Sequence, residues 1–144
     1  DRVSSWVEEA IERGGECVFG GEVYDEHHHI YRPTLIKDPP HNVSLYCEEV
    51  FGPVAVLETF KTFEQAIRLA NDTRYGLQVG VFTEKLTHAK MAFNQLQYGG
   101  VLINNIPGFR LDHMPYGGIK DSGLGREGVV YSLKEMTEER LFIF

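Results

Sequence analysis

A chain of 144 residues is the size of one ordinary domain and can bury a real core. Its 42% apolar and 24% charged content is that of a globular protein, and a net charge of -7 argues against the basic face of a nucleic-acid binder. No apolar run is long enough to span a bilayer, and two cysteines, Cys17 and Cys47, do not make a disulfide framework; a reducing cytoplasm, with no nucleic-acid or membrane partner, is the expected setting.

In chain order, Val3, Val7, Ala10 and Ile11 recur at helical spacing, and Gly14-Gly15 stops that helix. Residues 16–19 read as a short strand, Gly20-Gly21 as a turn and 25–29 as a polar loop tip. Residues 30–37 read as a strand, weakened or moved to an edge by Pro33. Residues 38–42 are a loop by their turn chemistry, and 54–60 a strand. Thr62-Phe63-Glu64-Gln65 matches a capping box, opening a helix with Phe63, Ala66, Ile67 and Ala70 on one face and an end near Asn71-Asp72. A strand over 77–83 follows, then a helix marked by Leu86, Ala89, Phe93 and Leu96 and ended by Gly99-Gly100. Residues 101–104 read as a strand, 105–125 as a long glycine-bearing loop, 126–137 as a helix and 140–144 as a last strand. Long loops in compact domains are often functional. Strands alternating with helices predict an α/β fold with a largely parallel sheet.

The stretch Cys-Glu-Glu-Val-Phe-Gly-Pro, residues 47–53, carries the first chemical signal. Glu49 and Phe51 are two apart, so in extended chain their side chains point the same way. A carboxylate beside an aromatic ring suits a nucleoside: the acid accepts from a ribose diol and the ring packs on a flat heterocycle. The structural alternative is two solvated glutamates before a strand, with Phe51 in the core. A second stretch, Pro-Tyr-Gly-Gly-Ile-Lys-Asp-Ser-Gly-Leu-Gly-Arg-Glu, occupies residues 115–127. Together, in this order and spacing, the two resemble the C-terminal part of the aldehyde dehydrogenase superfamily over essentially the whole chain.

The resemblance implies a three-layer, mostly parallel sheet with flanking helices, with residues 1–138 as the C-terminal portion of the catalytic domain and 139–144 as an oligomerisation strand. It implies an NAD or NADP cofactor, with Glu49 on the nicotinamide ribose, Phe51 against the nicotinamide and Leu77 near it; a core role for Leu77 is the alternative. The loop carrying Phe109, Arg110 and His113 would line the mouth of the aldehyde tunnel. Its wording looks like the branch acting on lactaldehyde or small phospho- and phosphono-aldehydes, so the expected partner is a small aldehyde, neutral or anionic. An arginine there can pair with an anion through a charge-assisted bond; the alternative is a surface pair between Arg110 and Asp112. The reaction implied is oxidation to the carboxylic acid through a thiohemiacetal on a cysteine, in a homo-oligomer joined through the last strand.

Neither Cys17 nor Cys47 is in the family's nucleophile register. The chain opens at Asp1 directly in a helical pattern and reads as a piece of something longer, with no catalytic residue of its own, inactive when isolated. The rival reading is a non-catalytic interaction or structural module retaining the fold. The glycines from Gly117 to Gly125 do not follow the dinucleotide-binding spacing closely. They read as a tight loop, with Ser122 or Asp121 helping to close it and Lys120, Arg126 and Glu127 as structural charges. His27-His28-His29 resembles a metal-binding tract, but a closed site needs ligands from elsewhere, so a solvated loop tip with no metal is expected.

Overall fold

The computed structural model describes residues 2–144, as two compact units, Asp1–Phe60 and Lys61–Phe144, each with its own core. In the first unit, helix α1 (Arg2–Glu12) buries Val7 and Ala10. Strands β1 (Glu16–Phe19), β4 (Thr34–Lys37) and β5 (Val54–Leu57) form a sheet in the order β1-β4-β5. Strands β2 (Val23–Asp25) and β3 (Ile30–Tyr31) form a separate hairpin. The expected strand over 30–37 is broken in two, as Pro33 has no N–H for a ladder. Ile36, Val43 and Leu45 complete the core with Val7 and Ala10, and Val50, Val54 and Val56 pack against it. The buried Thr34 is satisfied: its Oγ1 accepts from the Gly21 N–H at 2.8 Å and donates to the Arg32 carbonyl at 2.8 Å.

One helix was not foreseen. Helix α2 (Ser44–Cys47) follows Val43, whose side chain cannot cap it, and valine is a poor residue at that position. The cap comes from α1 instead: Glu9 Oε2 accepts from the Ser44 N–H at 3.1 Å. Such a cap, 35 residues distant, leaves no local signature.

In the second unit, α3 (Phe63–Asn71) starts as the capping box predicts, Thr62 Oγ1 accepting from the Gln65 N–H at 3.2 Å. Gln65 Oε1 reaches back one residue further than expected, to the Lys61 N–H at 2.9 Å. Strands β6 (Gln78–Val81) and β7 (Gly100–Ile103) flank α4 (Leu86–Gln95). The stripe expected on α4 holds only in part: Leu96 is in the core with Ile67 as expected, but Leu86 and Phe93 are exposed, and Ala92 is buried in their place. The ring of His88 is stacked on Phe63 at 4.2 Å. A 3₁₀ turn (Lys120–Ser122) and α5 (Val129–Met136) end the regular structure. Helix α5 begins three residues late because Glu127 pairs with Tyr116 in an isolated bridge, N–H to carbonyl at 2.6 and 3.0 Å.

The α/β class holds, and the expected largely parallel sheet is seen in part. Among the described residues β4–β5 and β6–β7 are parallel, whereas β1–β4 and β2–β3 are antiparallel, and the strands form three separate small sheets. The parallel pairs are joined by long crossovers containing α2 or α4, and the short turn between β2 and β3 allows only antiparallel pairing; β1 and β4, antiparallel, are joined through the β2–β3 hairpin. Residues 140–144 have no ladder partner among the described residues and are not a strand; their apolar side chains are exposed.

The cap on α2 makes a pH prediction. Accepting the Ser44 N–H, with help from Arg13, holds the Glu9 carboxyl below its usual 4.5. A carboxylate with a depressed folded value stabilises the fold fully above its unfolded value, and that stabilisation is lost as pH falls through the folded one. Urea unfolding across pH should therefore find Glu9→Gln less stable than the parent near neutrality, with the gap closing below about pH 4.5.

Candidate functional site

The segment after α2 is held by its neighbours. Val50 packs on the core of the first unit. A Cβ on Gly52 would stand 2.8 Å from Val3 Cγ2, so glycine there permits close approach to α1. The Val54 N–H reaches back to the Gly52 carbonyl at 2.8 Å, and the Thr34 N–H bonds the Pro53 carbonyl at 2.8 Å. Between these anchors Glu49 is exposed, with no side-chain hydrogen bond or ion pair among the described residues.

Phe51 is not in the core; it is 81% exposed. Its backbone is left-handed, at φ 46, a conformation costing a non-glycine residue about 1–2 kcal/mol. The segment is therefore not extended through Phe51, and the alternation that would aim Glu49 and Phe51 the same way is absent. Both are nevertheless presented to solvent. A carboxylate free of protein donors can accept two hydroxyl hydrogens, and an exposed ring can cover a flat heterocycle; a nucleoside fits the groups present.

In the second unit a cleft of about 410 Å³ is lined by the β6–β7 strands and the following loop, including Gln78, Asn105, Phe109, Arg110, Met114 and Tyr116. Phe109 and Arg110 are thus brought together. His113 is exposed and does not line this cleft, and Leu77, also exposed, stands outside it. The leucine is therefore not a core residue. The guanidinium of Arg110 pairs with Glu127 Oε2 at 3.1 Å and lies 4.4 Å from the centre of the Tyr116 ring. Glu127, not Asp112, is its partner.

Gln78 was missed. Its Nε2 donates to the Phe109 carbonyl at 3.2 Å, fixing the loop to β6, and its side chain lies over Gly100, where a Cβ would meet Cγ at 3.2 Å. A glutamine in the otherwise apolar strand Gln-Val-Gly-Val was the available signal.

The glycine-rich stretch is a buckle. The Gly76 carbonyl accepts from the Gly99 and Ile119 N–H groups at 3.0 Å each, and the Gly76 N–H donates to Ser122 Oγ at 2.8 Å. Asp121 Oδ2 accepts from Arg74 Nε at 2.6 Å. Lys120 Nζ donates to the Asn71 and Thr73 carbonyls at 3.1 and 3.0 Å, satisfying the end of α3. Arg126 donates to the Gly118 and Gly125 carbonyls at 3.0 and 2.6 Å. These charges are structural, and no phosphate cradle is formed from them.

His28 Nδ1 meets Asp25 Oδ2 at 2.8 Å across the hairpin turn, which with the backbone N–H of His28 holds the Asp25 carboxyl below its usual value. Among the described residues no group of three or more His, Cys, Asp or Glu is arranged around a common metal position. Cys17 donates weakly to the Phe19 and Gly20 carbonyls, and Cys47 to the His41 carbonyl at 3.0 Å; neither thiol has a base beside it in these contacts.

A family model described as the aldehyde dehydrogenase family matches residues 1–142. The chain is 38% identical over 143 residues to the 3-sulfolactaldehyde dehydrogenase of Priestia megaterium, covering 99% of this chain and 29% of that protein. It is similar to the crystal structure of aldehyde dehydrogenase 21 from Physcomitrella patens in complex with the reaction product succinate, at 42% identity and TM-score 0.90, covering 95% of this chain and 28% of the other. Glyceraldehyde-3-phosphate dehydrogenase GapN from Methanocaldococcus jannaschii, complexed with NADP, aligns at 39% identity and TM-score 0.84, covering 93% and 28%. The chain thus spans less than a third of the length of these relatives.

If the charges of the glycine-rich stretch serve the fold, Lys120→Met should lower stability by about 2 kcal/mol, from two lost charge-assisted hydrogen bonds. The check is a denaturant midpoint; an unchanged midpoint would contradict the structural role.

Proposed function

The chain belongs to the aldehyde dehydrogenase family, and on that premise we propose that residues 1–138 form the C-terminal portion of the catalytic domain of an NAD(P)-dependent enzyme. That enzyme oxidises a small anionic aldehyde to its carboxylic acid. The observation that carries this reading is Glu49 with Phe51: a carboxylate without a side-chain partner among the described residues, next to a solvated ring on a left-handed backbone. Neither feature serves folding, and strain of this kind persists where function uses it.

In this reading Glu49 accepts from the two ribose hydroxyls and so orients the nucleoside, and Phe51 covers one face of the nicotinamide. The oxidised nicotinamide, when bound, supplies the hydride acceptor. The aldehyde is taken as a thiohemiacetal by a cysteine outside these 144 residues, since neither Cys17 nor Cys47 is suited to the role. The isolated chain is accordingly expected to be inactive. Leu77, in the second unit, is assigned to the cofactor on the family resemblance alone.

Phe109, Arg110 and His113 belong to the loop assigned to the tunnel mouth. Phe109 gives apolar wall and Arg110 supplies a cation to an anionic substrate group. Some relatives favour an anionic substrate: one is a sulfolactaldehyde dehydrogenase, another was crystallised with succinate, and a third is a glyceraldehyde-3-phosphate dehydrogenase, whereas others are lactaldehyde dehydrogenases, with a neutral substrate. The exposed apolar residues 141–144 are assigned to the joining of subunits in a homo-oligomer, as an unpaired strand seeks a ladder. Two free cysteines suit the proposed cytoplasmic setting, and no helix of the described residues is long and apolar enough to cross a membrane.

In the full-length protein, Glu49→Gln should weaken cofactor binding or slow turnover by about tenfold, from loss of a charge-assisted pair of hydrogen bonds. Unchanged values for both would remove the assignment. Arg110→Ala should raise KM for an anionic aldehyde such as succinic semialdehyde by about tenfold or more while leaving a neutral aldehyde of similar length within about twofold. Equal effects on the two substrates would remove Arg110 from the substrate site.

A further inference from the structure

We propose that Glu58 is a positioning residue for the segment that carries Glu49 and Phe51, acting through Tyr46 and His41; this rests on the cofactor-side reading of that segment. Glu58 follows directly after β5 and is largely buried, with a side chain 21% exposed. Its two oxygens are used separately. Oε1 meets His41 Nε2 at 2.5 Å, and Oε2 accepts from the Tyr46 hydroxyl at 2.9 Å. The two rings so gathered are stacked face to face, 4.2 Å apart and 8° from parallel. The Cys47 thiol adds a bond to the His41 carbonyl at 3.0 Å.

The geometry makes a closed ring of chain. From Tyr46 the backbone runs through Glu49 and Phe51 to Pro53, enters β5 at Val54, and at Glu58 returns to Tyr46. The far side of the ring is pinned to β4 by the Thr34–Pro53 hydrogen bond and by the pairing of Thr34 with Val54. Inside the ring Val50 and Gly52 face the core and α1. With both ends and the middle held, the rest of the segment has little freedom to wander. Glu58 is the clasp at the α2 end, and it is an acceptor that no apolar residue can replace. A displacement on the order of 1 Å in an orienting group can cost about 100-fold in rate, so a clasp that closes on Tyr46, at the start of the segment, can govern how well Glu49 meets its ligand.

The experiment uses the full-length protein with NAD and NADP titrated separately, alongside thermal unfolding. Glu58→Ala should weaken binding of the preferred cofactor by about tenfold. Glu58→Gln, which keeps an oxygen for the Tyr46 hydroxyl, should recover most of that loss, whatever either change does to the melting temperature. Tyr46→Phe removes only the hydroxyl and gives the same readout if Glu58→Ala does not fold. A lowered melting temperature with parental cofactor affinity in the folded variants would overturn the proposal. Glu49→Gln is the control: if it too binds cofactor like the parent and turns over normally, the cofactor reading itself fails, whereas an effect at Glu49 with none at Glu58 or Tyr46 defeats the clasp alone.

Discussion

The inward turn of Val50 and Gly52 is the constraint on which the first unit's proposed chemistry depends. Val50 is drawn to the core by its apolar surface, and a Cβ on Gly52, itself exposed, would press on the Val3 side chain of α1 at 2.8 Å. With these residues directed inward, Glu49 and Phe51 are left outward. An exposed carboxylate keeps its hydration, so presenting Glu49 costs little until a ligand takes over its water hydrogen bonds. Phe51 is different: an apolar ring in water and a left-handed backbone are both unfavourable, and the packed neighbours on either side hold it there.

In the second unit the corresponding constraint is the crowding of backbone around Gly76 and Gly99. A Cβ on Gly99 would fall 1.8 Å from the Gly117 carbonyl oxygen, and one on Gly76 would fall 2.7 Å from that of Gln97. Such backbone-on-backbone contact is open only to glycine. It lets the 117–122 stretch lie directly on residues 74–76, where Ser122, Asp121 and Lys120 then find their partners. Because that stretch is fastened, the loop before it is tied at its far end. The Tyr116–Glu127 bridge and the Gln78–Phe109 hydrogen bond then define the walls of the cleft.

Much of this was legible in the chain itself, and what was not has identifiable physical causes. The five longer predicted elements through residue 104 rest on local signals, such as the Val7–Ala10 spacing and the Thr62 cap, and local signals survive into the fold. Helix α2 was illegible because its cap, Glu9, is remote in sequence. The inward face of α4 was misread in part because Phe93 and Leu86 are apolar yet exposed, while Ala92, small enough to admit close packing, is buried in their place. The largely parallel sheet, read from alternation and implied by the resemblance, is met by the β4–β5 and β6–β7 pairs, and alternation does not register the short β2–β3 turn. At the site, the motif register located Glu49 and Phe51 on one exposed segment, but no periodicity announces a left-handed phenylalanine. Arg110 was read to the right loop and the wrong partner, since pairing with Glu127 requires the Tyr116–Glu127 bridge, a contact across 11 residues.

The pairing of Arg110 bears on how an anionic substrate would be received. Its guanidinium is already engaged, by Glu127 and by the face of Tyr116, and a strong prior partner would compete with any ligand. Both members of the pair are substantially solvated, at 42% and 66% exposure, however, and a surface ion pair is worth only about 0–1 kcal/mol. A sulfonate, phosphate or carboxylate inside the cleft, partly shielded from water, interacts more strongly with the same cation. On the proposed reading a substrate anion would exchange for Glu127 at the guanidinium, which the Tyr116 ring faces at 4.4 Å. A neutral aldehyde would leave the pair intact, which is the physical basis of the charge discrimination proposed for this loop.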